Sequence, residues 1–287
     1  MEFVVGPVLA DEISGIESMP AAVSRIASML DDPDADATAF ARVLELDARL
    51  TADVLRLANS AWSQPTQPIL TVRDAVMRIG AAVVLKMAVG SRTAQSLSRP
   101  SDGYDLGEGE LWRHSVAAAL AAERMGAYTK VAVPGAAFTA ALLHDIGKVP
   151  LTRRLGRDGL RELWTLIEST DLTPLEAERR LLGTDHAEAG ESIAREWGLP
   201  DALATAIGAH HDPDAAPTTV GDAVHVGNLV AKFVGVGLGS DGMAINMSDA
   251  AAHRLGLSSD KLEALCADVA TGLAGAIELF EGVSHGA

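Results

Sequence analysis

The chain has 287 residues, 48% hydrophobic and 22% charged, enough for two ordinary cores or one large one. Its single cysteine, Cys266, excludes an internal disulfide framework, and a formal net charge of −16 excludes coating of nucleic acid or anionic membrane as its main task. No apolar run approaches the roughly 18 residues of a membrane-spanning helix. No basic stretch followed by an apolar core opens the chain, so the expected location is the cytoplasm.

With aromatics at 4% and abundant Ala and Leu, helices are favoured over strands. Val23, Ile26, Ala27 and Leu30 recur at the spacing of one buried helical face, and Asp31-Asp32-Pro33 stops the run. A second helix begins near Asp36 and carries Phe40, Val43 and Leu44. A third stripe, Leu50, Val54, Leu57 and Ala58, ends at Asn59-Ser60, before a proline-bearing loop from Ser63 to Pro68. Thr71 is placed to cap a helix through Ala75, Val76 and Ile79, which Gly80 closes, and Ala81 to Leu97 reads as a buried helix.

Residues 98–109, with Pro100, Gly103, Gly107 and Gly109, read as a linker. Helices are then expected at about 110–126, 134–145, 158–169, 173–182, 186–197, 200–211, 219–233 and 259–280. Thr173-Pro174 is a cap followed by proline at the first helical position, Asp185 and Glu188 have capping-box spacing, and Gly183 and Gly198 fit helix C-termini. Gly235 to Gly242 reads as a flexible connection. Cys266 sits on an apolar helix face, and the four tryptophans fit helix packing. The fold class is all-α, with an N-terminal helical bundle at 1–99 and a second helical domain at 110–287. Residues 1–99 carry 12 acids and 9 bases, whereas 100–287 carry 27 acids, 14 bases and all eight histidines.

His114, His144-Asp145, His186 and His210-His211 fall at or near predicted helix ends, where side chains from different helices converge. Taken singly, each has an ordinary reading: a satisfied core histidine, a local His-Asp pair, a charge complementing a helix dipole, or, for Lys148, an exposed residue past a helix. Taken jointly they suggest a metal site. Neutral imidazoles suit Fe, Mn, Ni or Zn, and a carboxylate can bridge two ions. One or two such ions, largely uncompensated by a single Asp, would attract phosphate and acidify water for phosphoester hydrolysis.

This order of residues, with Leu142-Leu143-His144-Asp145-Ile146-Gly147-Lys148 at its centre, resembles the HD metal-dependent phosphohydrolase superfamily. Met19-Pro20-Ala21-Ala22-Val23, Val43 to Thr51, Leu55 to Ser60, Ala75 to Gly80 and Leu111-Trp112-Arg113-His114-Ser115 resemble, more narrowly, the HDOD family of signalling output domains. The resemblance spans roughly 15–235 and implies an N-terminal helical bundle packed on an HD-like bundle. It also implies that His114, His144, Asp145, His186, His210 and His211 hold metal. Active HD phosphodiesterases usually add an Asp from the next helix; here Asn228 stands at that place, a neutral and weaker ligand. Asp222, six residues earlier, is out of reach in this register. The Gly-Tyr-Pro segment of cyclic-di-GMP phosphodiesterases is absent.

The resemblance implies a bacterial regulatory module with a retained or partial metal site. Its partners would be signalling proteins or a small phosphate or nucleotide ligand, with neither nucleic acid nor membrane as a general target and with helices able to form a homodimer. The alternative is a metal-dependent phosphohydrolase acting on a nucleotide or cyclic nucleotide, in which Asp145 bridges ions and Lys148 contacts phosphate or water. A third reading, a decayed site without metal, requires the histidines to satisfy one another or the backbone by hydrogen bonds.

Overall fold

The computed structural model describes residue 16 and residues 18–30, 32–60, 62–239 and 246–284. Asp31 of the first predicted stop and residues 240–242 of the glycine-bearing connection lie outside the described residues. In the N-terminal part, α1 is Ala21–Met29, α2 Ala37–Leu44, α3 Ala48–Ala58, α4 Val72–Ile79 and α5 Ala81–Leu97. The starts of α2, α3 and α4 are fixed by Asp36, Asp47 and Thr71, whose side chains accept from backbone N–H groups of the first turn. Their apolar stripes meet in a core that includes Val23, Ile26, Leu44, Leu50, Val54 and Ala75.

The second part contains α6 (Glu110–Arg124), α7 (Ala136–Leu143), α8 (Lys148–Ser169), α9 (Pro174–Leu182) and α10 (His186–Glu196). It continues with α11 (Asp201–Gly208), α12 (Thr219–Phe233), α13 (Asp249–Leu255) and α14 (Ser259–Ser284). The fold is all-α; among the described residues the sole β feature is an isolated bridge between Ser101 and Leu106. Thr173 and Glu176 form a reciprocal capping box at α9, and Asp185 accepts from the Glu188 N–H at α10.

The sequence reading missed α13 and the first part of α8. The latter starts directly after Gly147 and is broken at Gly156 (φ 57°, ψ −171°), so its two segments present no continuous stripe. The linker is not loose: it holds a 3₁₀ turn, Asp102–Tyr104, and buries Tyr104. Trp112 packs edge-on against Phe280, whereas Trp62, in the loop after α3, is 54% exposed.

The centre of the molecule is the contact of α6 and α12. Their backbones approach so closely that a Cβ at Gly227 would lie 2.7 Å from the Ala118 carbonyl oxygen. α7 packs on both helices, and α14 lies against α6 and α5, so one apolar cluster runs through both parts from Ile16 to Phe280. No described helix is long and apolar enough to cross a membrane.

Candidate metal centre

Four elements aim the histidines inward, and two use the same device. His144 closes α7 and His210 follows α11; each Nδ1–H donates to the carbonyl three residues back, Ala141 and Ile207, both at 2.7 Å. The imidazole thus completes a helix terminus and leaves Nε2 pointing into the interior. His114, from the middle of α6, donates through Nδ1 to the Val236 carbonyl at 2.9 Å. His186 is the first residue of α10; its Nδ1 and backbone N–H both donate to Glu178, at 2.9 and 2.7 Å.

Asp145 sits between these rings. Its Oδ2 lies 2.9 Å from Lys148 Nζ, 3.3 Å from His144 Nε2 and 3.8 Å from His114 Nε2. The other oxygen, Oδ1, is 3.5 Å from His186 Nε2 and 3.8 Å from His210 Nε2. His186 Nε2 in turn meets His211 Nε2 at 2.9 Å. The donor atoms fall into two clusters, His114-His144-Asp145 and His186-His210-His211, with the carboxylate facing both. Gly147 permits this: a Cβ there would overlap the His186 carbonyl and lie 2.7 Å from the Gly190 nitrogen, so the chain leaving Asp145 is pressed onto the backbone of α10.

Electrostatics favour the ligand form of His114, His210, His211 and Asp145, and oppose it at His186. Burial pushes the His114 pKa down to about 4. Burial, reinforced by neighbouring imidazoles, lowers His210 and His211 well below the usual histidine range. Burial alone would raise Asp145, but the His144 imidazole and the Lys148 ammonium hold it well below the usual carboxylate range. For His186, burial opposes the charged form and is outweighed by Glu178, so its pKa is raised.

The donor set fits divalent metal. Among the described residues, His210 Nε2 is buried without a hydrogen-bond partner, and His144 Nε2 faces the Asp145 carboxylate at 3.3 Å. An unpartnered atom of this kind is costly unless something electropositive meets it, and mutual satisfaction of the histidines, required of a decayed site, does not extend to His210. Asn228 Oδ1 lies 3.1 Å from His114 Nε2. The Asn228 amide therefore lies directly beside the His114 nitrogen that faces the centre.

All eight residues singled out from the sequence lie in one region: His114, His144, Asp145, Lys148, His186, His210, His211 and Asn228. Lys148 is 3% exposed, so the reading of it as a surface charge fails. Asp222 is held away from the centre by Arg254, whose Nε and Nη2 donate to its two oxygens at 2.8 and 2.6 Å. A cavity of about 160 Å³ reaches the centre, lined by His186, His210, His211, Asn228 and Lys232 among others.

Sequence reasoning missed Glu178, Tyr104, Lys232 and His225. Glu178 was hidden in the charged run Glu176 to Arg180, where only its zero exposure distinguishes it. His225 has a structural role: its Nδ1–H donates to the His210 carbonyl at 2.8 Å, and its Nε2 accepts from the Ser248 N–H at 3.1 Å. The described part of the glycine-bearing connection is a wall of the site, since Val236 orients His114 and Gly237 lies against His114 Cβ.

Comparison with known proteins bears on this arrangement. An uncharacterised protein of Treponema pallidum (strain Nichols) is 24% identical over 210 residues, 73% of this chain; the chain spans 40% of that relative's length. An HDOD domain protein of unknown function from Geobacter sulfurreducens superposes with a TM-score of 0.66 at 25% identity, covering 97% of this chain and 96% of its own. A Marinobacter aquaeolei protein named for an inferred signal-transduction role gives a TM-score of 0.72 at 20% identity, over 97% of this chain and 65% of that one. A Shewanella amazonensis protein named for an inferred phosphohydrolase role gives 0.64 at 22%, over 96% and 98%. The HDOD domain profile matches residues 16–213, and the chain therefore belongs to the HDOD domain family.

Proposed function

We propose that the chain is a regulatory module of bacterial signal transduction that binds a divalent transition metal at the His/Asp centre and acts through contacts with signalling proteins, without phosphohydrolase turnover. The observation that carries this reading is Asn228. At the position facing His114 the chain offers a neutral amide, so Asp145 is the one carboxylate of the ligand set, and it is shared with the Lys148 ammonium. The site keeps imidazole donors for metal while lacking the further ligand carboxylate expected of an active HD phosphodiesterase at this place. His114, His144 and Asp145 would hold one ion and His186, His210 and His211 the other.

The enzymatic reading is favoured by the cavity that reaches the centre with Lys232 on its wall. A bound ion would supply Lewis-acid activation of a phosphoester. About 160 Å³ suits a small phosphate group and falls below the roughly 300 Å³ at which pockets for larger ligands begin, which argues against a cyclic dinucleotide.

Metal analysis after anaerobic purification tests the proposal, with His144→Ala and Asp145→Ala as controls. Metal in the wild type that both variants lose, together with no turnover on phosphodiester and nucleotide panels in manganese or iron, is the expected result. Turnover that Asp145→Ala abolishes would establish the enzyme instead. Asn228→Asp should raise metal occupancy.

A further inference from the structure

Glu178 is a second carboxylate beside the centre, fully buried on α9 and outside the ligand set. Its oxygens accept from the Tyr104 O–H at 2.9 Å, the His186 backbone N–H at 2.7 Å and His186 Nδ1–H at 2.9 Å. Among the described residues its ion-pair partner is His186. The other inward-facing rings with a defined Nδ1 acceptor, His114, His144 and His210, rest on neutral backbone carbonyls. His186 alone among these four rests on a carboxylate, and burying that charge is costly unless it serves a cationic neighbour.

We propose that Glu178 is a positioning residue for the His186 half of the centre. It holds the ring with Nε2 turned toward His210 and His211 and strengthens that nitrogen as a donor. Outer-shell carboxylates act in this way on ligating histidines. Tyr104, delivered by the segment between the two helical parts, fixes the carboxylate from behind and stands edge-on to the His186 ring at 6.2 Å.

This inference rests on the metal-binding reading above. Its test is calorimetric titration of the whole chain with cobalt(II), the visible cobalt spectrum recorded at each step. His186→Ala identifies the ion bound at that half. Glu178→Gln keeps the shape and removes the charge, and should weaken the same ion by roughly 10–100-fold with a changed cobalt spectrum, leaving the other ion within about threefold. Tyr104→Phe should give a smaller loss at that ion. Unchanged affinity in Glu178→Gln overturns the positioning role, as does equal weakening of both ions, which would indicate general loosening. A wild type that binds no cobalt overturns the metal-binding reading itself and this inference with it.

Discussion

Lys148 and Asp145 are each buried and joined at 2.9 Å, so each makes the other tolerable. Removing one partner of a buried pair strands the other, at about 3–5 kcal/mol. Asp145→Ala is therefore expected to lower the stability of the metal-free protein by that amount in urea denaturation. Lys148→Met in the same background should restore part of it, because the stranded charge is then gone. The same variants separate the pair's two effects, since metal binding lost through Asp145→Ala will not return with Lys148→Met. At the protein surface the expectation reverses. Leu70 and Met77 are 82% and 63% exposed, and changing either to Ser should move stability by no more than about 0.5 kcal/mol.

Among the elements, the join of α8 to α10 at Gly147 is the least forgiving. Gly147→Ala places a methyl group in backbone rather than against a side chain that could turn away, and overpacking of this kind costs roughly 3 kcal/mol. Chemical denaturation should show this loss together with weakened metal binding, as the two ligand clusters are pushed apart. Helix ends were legible in the sequence because Asp36, Thr71, Thr173 and Asp185 cap by local chemistry that needs no tertiary partner. The histidines were legible as a set through their order along the chain. Glu178 was not, because its identity as a buried carboxylate depends on the packing of α9 against α8 and on Tyr104 arriving from 74 residues away. The first part of α8 was hidden for a related reason: Gly156 breaks its periodicity, and its place is fixed by contact with α10.

At the scale of the whole molecule, the acid excess of the second part and the cationic demand of its interior coexist because they occupy different places. Apart from Asp185 and Asp222, which are buried on a helix start and on Arg254, the described carboxylates of that part outside the centre are not buried, while the centre holds imidazoles, one lysine–aspartate pair and Glu178. An ion at the first cluster ties α6 to the end of α7 and one at the second ties α10 to the end of α11, so their removal should act on global stability. Binding at a hundredfold excess over Kd stabilises by about 2.7 kcal/mol, and at roughly 2–4 °C per kcal/mol a chelator should lower Tm by roughly 5–10 °C. Thermal melts with and without EDTA, with a His144→Ala, His186→Ala double variant as the insensitive control, check this.

The histidines that close α7 and follow α11 have a kinetic consequence. Each ring is oriented by a carbonyl of its own helix three residues back, so these two donor atoms face inward as soon as their helices exist. An arriving ion then finds them in place and waits on its own water shell rather than on the chain. Loading should follow the order of water exchange of the free ions, manganese well ahead of nickel, and stopped-flow mixing with the metal-free protein would record it as a rate that depends on the metal more than on the protein.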